Sequence, residues 1–312
     1  MRIVLLDALT LGEVSNLTEI ERFGELVKYK VTKPEETLSR LIDAEIVITN
    51  KVVIDKAMMK ACPKLKLICV AATGTNNIDL EGAKELGISV KNVAGYSTKS
   101  VAQHTFTLLF SLLGQIKYYD EYVKSGGYVE SPIFTHLQKE FWEISGKTLG
   151  IIGLGTIGRE VAKIAQVFGM KVIYYSTSGE NNNQNYSRVD ITDLLRQSDV
   201  ITIHAPLNDK TTNLISKPQF GLMKPTAIVL NTGRGGIIDE EALIAALNNE
   251  LIAAAGLDVL MKEPMVNNHP ILKLKNKEKL IVTPHIAWAS KEARHTLIDG
   301  IVKNIETYIS EN

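Results

Sequence analysis

The sequence contains little cysteine, no excess of charge of either sign and no long hydrophobic run. Only two of the 312 residues are cysteines, which argues against a disulfide framework and suits a reducing compartment. Lysine plus arginine and aspartate plus glutamate number 35 each, so no net field would attract nucleic acid or an anionic membrane. The first apolar segment, Arg2 to Asp7, is too short for a signal-peptide core or a membrane span. These absences predict a cytoplasmic protein with no nucleic-acid or membrane partner.

The length and composition are those of an ordinary globular protein with two domains. Apolar residues make up 45% of the chain and charged residues 22%. In the first third, short apolar runs alternate with amphipathic stretches, which predicts a parallel α/β sheet. The predicted strands are Ile3 to Leu6, Leu26 to Tyr29, Ile46 to Ile48, Leu67 to Ala71 and Ile88 to Val90, and the predicted helices are Leu17 to Phe23, Glu35 to Leu41, Asp55 to Ala61 and Asp79 to Leu86. No glycine-rich loop follows the first strand, so we expect this part to hold a small substrate rather than a nucleotide.

A long helical pattern leads from this first part into the rest of the chain. Apolar residues recur at helical spacing from Tyr96 to about Lys124, which predicts one continuous helix. The following stretch, Ser125 to Glu143, lacks regular periodicity but contains several aromatic residues. Because long irregular loops in compact proteins usually have a function, we expect residues 115–146 to form an arm that packs on a second copy in a homodimer. The alternative is that the arm folds back on its own subunit.

The segment Gly150 to Gly158 has the sequence Gly-Ile-Ile-Gly-Leu-Gly-Thr-Ile-Gly. Gly153, Gly155 and Gly158 have the spacing that allows a sharp turn, close approach to a pyrophosphate, and tight packing of a helix on its strand. An apolar strand precedes them, and a helical pattern and a second strand follow. This context predicts a dinucleotide site at the N-terminus of the helix, where unpaired amides favour a phosphate.

The later part of the chain continues to alternate strands and helices. Strands are predicted at Ile151, Val172, Asp199 to Ile203, Ala227 to Leu230, Ile252 to Gly256 and Leu280 to Val282, with helices at Thr192 to Gln197 and Glu240 to Asn248. Such a pattern after a glycine fingerprint predicts a doubly wound parallel sheet. The amphipathic segment from Lys291 to Ile309 is expected to return to the first domain. The predicted domains are therefore 1–99 with 288–312, for the substrate, and 100–287, for the dinucleotide.

Residues with catalytic chemistry follow three of the predicted strands. Arg234 lies after the strand ending at Leu230, Asp258 and Glu263 follow the next strand, and His285 follows the last. In an open parallel sheet, ligands bind beyond the carboxyl ends of the strands. Arginine can bind a carboxylate through its planar guanidinium, and histidine can deliver a proton near neutral pH. With a nicotinamide cofactor, this set of residues describes hydride transfer to a 2-keto acid.

Several motifs together resemble the D-isomer-specific 2-hydroxyacid dehydrogenases. They are Gly-Leu-Gly-Thr-Ile-Gly, Asn-Thr-Gly-Arg-Gly-Gly-Ile-Ile-Asp, Gly-Leu-Asp-Val-Leu-Met-Lys-Glu-Pro and Thr-Pro-His-Ile-Ala-Trp, in the order of the family. The resemblance implies two doubly wound domains, a flavodoxin-like substrate domain and a Rossmann NAD(P)-binding domain. It implies that Arg234, Glu263 and His285 are the catalytic residues, with His285 as the acid/base and Glu263 as its partner.

The same resemblance implies further contacts with substrate and cofactor. Thr73 and Gly74 would hold the substrate carboxylate together with Arg234, and Trp288 would line the substrate pocket or pack at a domain interface. The implied cofactor-binding residues are Gly153, Gly155, Thr156, Ile157, Gly158, Ser176, Ala205, Thr232, Gly233, Asp258 and His285. Ser176 stands where an acid would bind the adenosine ribose of NAD, and the next arginine or lysine is Arg188. The cofactor is therefore predicted only as NAD or NADP.

The substrate is predicted less sharply than the reaction. Within the family the sequence is most similar to hydroxypyruvate reductases, also called glycerate dehydrogenases, so hydroxypyruvate or glyoxylate is the expected substrate. A phosphoglycerate or formate dehydrogenase, and an NAD(H)-sensing protein similar to the dehydrogenase-like corepressors, are alternatives. No histidine has metal-ligand spacing. His104 is expected to pack on the long helix, His204 to end a strand near the cofactor, and His136, His269 and His295 to be exposed.

Overall fold

The computed structural model describes all 312 residues and divides them into two compact units. The first unit combines Met1–Ser97 with Ala289–Asn312, and the second is the continuous segment Thr98–Trp288. Each unit is built around its own parallel sheet. No helix in the structure combines the length and the apolar character needed to cross a membrane.

The first unit has a five-stranded sheet in the order β2-β1-β3-β4-β5, in which every pair of neighbours is parallel. This is the strand order of flavodoxin-like folds and confirms the predicted architecture. The strands are β1 (Arg2–Leu5), β2 (Glu25–Lys28), β3 (Ile46–Thr49), β4 (Leu67–Val70) and β5 (Ser89–Asn92), and the helices are α1 (Pro34–Leu41), α2 (Lys56–Lys60), α3 (Leu80–Glu85) and α10 (Lys291–Glu311).

The central strands of this sheet are buried on both faces. All four residues of β3 and all four of β4 are inaccessible to solvent. Strands covered by helices on both sides are continuously apolar rather than alternating, which is why the apolar runs located them. Asp79 caps α3 by accepting a hydrogen bond from the Gly82 amide, as the sequence predicted.

The segment predicted as a helix from Leu17 to Phe23 is a 3-10 helix, Ser15–Phe23. No side chain caps its N-terminus, and it ends at Gly24. The segment is held instead by contacts with α10, since Asn16 donates hydrogen bonds to the His295 carbonyl oxygen and the Asp299 carboxylate. Tertiary contacts rather than local propensity therefore set its conformation.

The second unit has a seven-stranded parallel sheet in the order β12-β11-β10-β9-β6-β7-β8. This is the strand order of a Rossmann sheet in which β6 is the first strand. The strand order reverses between β6 and β9, which is the topological switch point. The strands are β6 (Thr148–Ile152), β7 (Lys171–Tyr175), β8 (Ser187–Arg188), β9 (Val200–Ile203), β10 (Ile228–Asn231), β11 (Ala254–Leu257) and β12 (Leu280–Val282), and the helices are α6 (Thr156–Val167), α7 (Ile191–Gln197), α8 (Lys217–Phe220) and α9 (Glu240–Asn248). The short strand β8 and the short helix α8 were not predicted from the sequence.

The prediction of one helix from Tyr96 to Lys124 is wrong. The structure has two helices, α4 (Thr98–Leu113) and α5 (Ile116–Lys124). They are separated at Gly114 and Gln115, and Gln115 has the left-handed φ of 50°. The chain leaves the hydrophobic core at this break. Eight residues of α4 are buried, whereas α5 has no buried residue.

Candidate active site

The glycine-rich loop connects β6 to α6, and its three glycines have different surroundings. Gly153 has a φ of +91°, and a Cβ there would lie 2.9 Å from the amide nitrogen of Ala205. A Cβ on Gly158 would overlap the Gly153 carbonyl oxygen, so this glycine allows the helix to pack on the strand. Gly155, by contrast, faces open space with nothing within 4 Å. The loop thus leaves room for a ligand only at its middle glycine, as a pyrophosphate site requires.

The N-terminus of α6 points its first amides toward this open space. Gly155 is the N-cap residue, and no side chain caps the helix. The amides at the start of a helix have no intrahelical acceptors, and the helix dipole adds to their attraction for a phosphate. Gly155 and Thr156 are exposed, and Ile157 is half-buried. The residues present therefore fit the pyrophosphate of a dinucleotide.

Ser176 follows β7, where the adenosine ribose of a dinucleotide would bind in this fold. Its side chain is buried, and its Oγ accepts a hydrogen bond from the Asn181 amide. The sequence suggested no nearby partner for a 2′-phosphate, but pairing of β8 with β7 brings Arg188 close to this loop. The Arg188 guanidinium lies 3.5 Å from the Asn181 carbonyl oxygen. The Arg188 guanidinium therefore lies near the expected position of the adenosine ribose, where this chain has no acidic side chain.

The loops after β9 and β10 form the other side of the switch point. Ala205 is buried against Gly153. Thr232 is also buried, and its hydroxyl lies 3.1 Å from the Thr105 hydroxyl and 3.4 Å from Nδ1 of His204. Desolvation lowers the pKa of the His204 imidazole to about 3. His204 is therefore uncharged near neutral pH.

Arg234 lies in the loop after β10, which is shaped by the buried side chain of Asn231. The Asn231 amide group donates to the Arg234 carbonyl oxygen at 2.9 Å, and its side-chain oxygen accepts from the Gly233 amide at 3.0 Å. The Arg234 side chain is exposed, and Nη1 donates to the Gly233 carbonyl oxygen at 2.8 Å. The guanidinium is therefore presented to solvent by a loop with a fixed backbone.

His285 and Glu263 form a direct pair. Nδ1 of His285 lies 2.7 Å from Oε2 of Glu263, and the other carboxylate oxygen accepts from the Leu260 amide at 2.9 Å. Both side chains are partly exposed. Because Nδ1 is engaged by the carboxylate, Nε2 is the ring nitrogen that can exchange a proton with a substrate.

The backbone of His285 is held in an unusual conformation. Its φ is 57°, in the left-handed region that non-glycine residues seldom adopt. Its amide donates to the Asp258 carbonyl oxygen at 2.8 Å. Strained residues of this kind persist only when their surroundings determine them, and they cluster at functional sites.

Asp258 lies beneath the His285 loop and is only 1% exposed. Its carboxylate accepts hydrogen bonds from the Thr283 hydroxyl at 2.6 Å and from the amides of Ile286 and Ala287 at 2.8 Å. These contacts fix the segment on both sides of His285. Asp258 thus supports the histidine loop, and its contact with a cofactor stays a prediction.

The predicted substrate residues lie in both units. In the first unit, the Thr73 hydroxyl donates to the Val93 carbonyl oxygen at 3.4 Å, and the Thr73 carbonyl oxygen accepts from the Asn92 side chain at 2.6 Å. Thr73 and Gly74 follow the carboxyl end of β4. In the second unit, Trp288 is half-buried. Their roles in substrate binding stay predictions.

Several histidines have more defined positions than expected, and His136 and His295, predicted to be exposed, are half-buried. His269, predicted to be exposed, is 3% exposed, and its Nε2 lies 2.9 Å from Oε2 of Glu240. Nε2 of His104 lies 2.9 Å from the Thr283 hydroxyl, so His104 takes part in the Asp258 network rather than only packing on α4. The polar sequence around His269 gave no sign of burial, since the contacts come from residues distant along the chain. No group of three or more His, Cys, Asp or Glu residues could hold a metal ion.

Comparison with known proteins agrees with this geometry. Residues 106–287 match the family described as D-isomer specific 2-hydroxyacid dehydrogenase, NAD binding domain. A hydroxypyruvate reductase from Blautia hydrogenotrophica is 39% identical over 99% of this chain and 97% of its own, and a glycerate dehydrogenase from Methylorubrum extorquens is 40% identical over 99% and 96%. A solved structure of an acyclic imino acid reductase with NADPH and D-Arg is 35% identical, with a TM-score of 0.88 over 100% of this chain and 98% of that one.

Proposed function

The chain belongs to the D-isomer-specific 2-hydroxyacid dehydrogenases, NAD(P)-dependent oxidoreductases, and from that premise we propose that it reduces hydroxypyruvate or glyoxylate to D-glycerate or glycolate. The main support for this proposal is the contact between His285 and Glu263, in which Nδ1 lies 2.7 Å from Oε2. Arg234 lies in the loop that follows the neighbouring strand β10. The names of the relatives support the substrate class, because they include hydroxypyruvate reductase, glycerate dehydrogenase and glyoxylate reductase.

Three residues of the second unit have different roles in the proposed reduction. Arg234 binds the carboxylate of the keto acid and polarises the adjacent carbonyl group. When bound, the reduced nicotinamide supplies a hydride to the carbonyl carbon. His285 gives the proton on Nε2 to the carbonyl oxygen, while the Glu263 carboxylate stabilises the imidazolium before transfer and orients the ring. One hydride and one proton thus convert the keto group to a hydroxyl group.

The open space at Gly155 and the amides of α6 would hold the cofactor pyrophosphate. Ser176 would lie at the adenosine ribose, and Ala205, Thr232 and Gly233 at the nicotinamide side of the switch point.

Initial rates across a panel of keto acids test this function. The purified protein is assayed with NADH and with NADPH against hydroxypyruvate, glyoxylate, pyruvate and phosphohydroxypyruvate. We expect the largest kcat/KM with hydroxypyruvate or glyoxylate. Preference for phosphohydroxypyruvate would instead identify a phosphoglycerate dehydrogenase. Tight NADH binding without turnover of any keto acid would identify a cofactor-sensing protein and overturn the proposal.

We further propose that residues 115–146 form an arm that joins two copies of the chain. The ion pair between Lys139 and Glu278, at 2.9 Å, anchors the arm to its own unit, and Tyr122 stacks on His136 within the arm with ring centroids 3.7 Å apart. Yet its apolar side chains point to solvent, with Val129 86%, Phe134 90% and Leu137 77% exposed. Three large apolar side chains exposed within nine residues are more than the single ones common on monomer surfaces, which favours an interface. The groove between α4 and α6 is a candidate surface for a second copy, and its lining is mixed: Phe106, Phe110 and Ile164 are apolar, and Lys99, Gln103, Thr107 and Glu160 are polar or charged.

Sedimentation tests the homodimer. The wild-type chain is expected to sediment as a dimer at micromolar concentration, and the double variant Phe134→Ser with Leu137→Ser as a monomer. Leu9→Ser, which changes an exposed leucine outside the arm, is the matched control and should leave the dimer intact. A wild-type monomer at that concentration would rule out the proposal.

We also propose a cytoplasmic location. Cys62 and Cys69 are both buried and unpaired, which suits a reducing compartment. Fluorescence microscopy of a tagged chain in its native cell tests this location.

A further inference from the structure

A second histidine–carboxylate pair lies behind the loop that carries Glu263. Nε2 of His269 is 2.9 Å from Oε2 of Glu240, but the contact is too oblique for a linear hydrogen bond. Nδ1 of His269 accepts from the Ile271 amide at 3.3 Å. Because Nδ1 acts as an acceptor, the ring proton lies on Nε2, the nitrogen that is next to the carboxylate. Both side chains are largely withdrawn from solvent, so their electrostatic attraction is weakly screened.

Glu240 connects this histidine to the loop between Leu260 and Glu263. It lies in the first turn of α9, where a negative charge is favoured by the helix dipole. Its other oxygen, Oε1, accepts a hydrogen bond from the Met261 amide at 2.7 Å. The preceding amide, that of Leu260, donates to Oε1 of Glu263. Adjacent amides of one short loop are therefore bound by Glu240 and by Glu263.

The same loop also packs against the loop of Arg234. A Cβ on Gly235 would overlap the Leu260 carbonyl group, so the two backbones are in close contact. The segment Leu260–Met261 is therefore confined between Gly235 on one side and Glu240 on the other. Movement of this segment would disturb the positions of both Glu263 and Arg234.

We propose that His269 and Glu240 are positioning residues that hold the 260–263 loop so that Glu263 meets His285. His269 fixes the Glu240 carboxylate, Glu240 fixes the Met261 amide, and the loop then presents Glu263 to the catalytic histidine. The inference rests on the proposed function, because it assigns to this pair a role in the proton transfer by His285.

His269 has a second contact that could by itself explain its presence. Its Nδ1 caps the short 3-10 helix Pro270–Lys273, as an asparagine could do equally well. A capping role accounts for Nδ1 but not for an Nε2 that lies 2.9 Å from a carboxylate largely withdrawn from solvent. Two substitutions separate the two contacts. His269→Asn keeps an acceptor near the position of Nδ1 and loses the group facing Glu240, whereas His269→Gln keeps a donor near the position of Nε2 and loses the cap.

Steady-state kinetics of the two variants test the proposal. We expect His269→Asn to lower kcat for keto-acid reduction by about tenfold, as small displacements of catalytic groups do. Its KM for NADH and NADPH should stay within about twofold of wild type, since the glycine loop is unchanged. His269→Gln should restore kcat to near the wild-type value. In His269→Asn the decline of kcat at high pH should also move to lower pH, because a displaced Glu263 stabilises the imidazolium less.

The opposite ranking overturns the inference: full activity in His269→Asn with loss in His269→Gln would show that His269 only caps the 3-10 helix. Crystal structures of wild type and His269→Asn add a readout that needs no turnover. The distance from Nδ1 of His285 to Oε2 of Glu263 should lengthen in the variant, and an unchanged distance would refute the positioning role. Failure of the wild-type chain to reduce any keto acid, with the distance still lengthened, would overturn the proposed function instead.

Discussion

Nδ1 of His285 lies 2.7 Å from Oε2 of Glu263, although the two residues are separated by 22 positions in the chain. They follow β12 and β11, which are adjacent parallel strands, and Arg234 follows the next strand, β10. Parallel neighbours end at the same edge of a sheet, so three short loops place the proposed acid/base, its partner and the proposed carboxylate-binding cation along one edge. The topology thus assembles the group from residues that are distant in sequence.

Removal of the His285 imidazole should abolish most of the turnover. His285→Ala is expected to lower kcat for keto-acid reduction by about a thousandfold, because general acid catalysis contributes a hundredfold to ten-thousandfold. NADH affinity, measured by fluorescence titration, should change little. Normal turnover in this variant would show that another group donates the proton.

The negative charge of Glu263 should affect how the reaction rate depends on pH. Glu263→Gln keeps one oxygen acceptor, for Nδ1 or for the Leu260 amide but not for both, and removes the negative charge that stabilises the imidazolium. Reduction requires the protonated ring, so its rate should fall at a lower pH than in wild type. Oxidation of the hydroxy acid requires the neutral ring, so its rise with pH should also begin at a lower pH. Rate profiles in both directions that coincide with wild type would contradict this role.

Much of this group could be predicted from the sequence, because apolar runs locate the strands and the rule for parallel sheets then selects the residues that follow them. The rule selects Arg234, Asp258, Glu263 and His285, and the resemblance to the family then assigns catalysis to Arg234, Glu263 and His285, which stays a prediction. The break at Gln115 is not evident from the periodicity, because the helical pattern continues through Ile116, and the one signal for it is Gly114, a residue of low helix propensity. The burial of His269 was missed because its neighbours Asn267 and Asn268 are polar and its partner Glu240 lies on another element.

Substitutions in the glycine-rich loop should separate effects on cofactor affinity from effects on the stability of the fold. Gly155→Ala adds a methyl group to open space at a φ of −76°, so we expect its Tm to equal that of wild type while NADH affinity falls at least about tenfold. Gly158→Ala forces a Cβ onto the Gly153 carbonyl oxygen and should lower the Tm by several degrees. Thermal scans and NADH titrations measure both effects. An equal loss of stability in the two variants would mean that the middle glycine is also a packing residue.

Ser176 should control the choice between the two cofactors. Ser176→Asp places a carboxylate at the end of β7, where it can bind the ribose hydroxyls of NADH and repel the 2′-phosphate of NADPH. We expect the ratio of kcat/KM for NADPH to that for NADH to fall at least about tenfold, which corresponds to about 1.4 kcal/mol. A similar loss with both cofactors would indicate instead that the larger side chain disturbs the loop from Ser176 to Asn181.

His204 should make the stability of the protein depend on pH. Desolvation lowers the pKa of its imidazole from 6.5 to about 3 in the folded chain. Below pH 6.5 the unfolded chain therefore binds a proton that the folded chain does not. The free energy of unfolding should decrease as the pH falls from about 6.5 toward 3, with a limiting slope of about 1.4 kcal/mol per pH unit from this group. His204→Asn removes the titrating group, so urea unfolding of the variant should lose less stability than wild type between pH 7 and 5. Parallel losses in the two proteins would mean that His204 is protonated in the folded state.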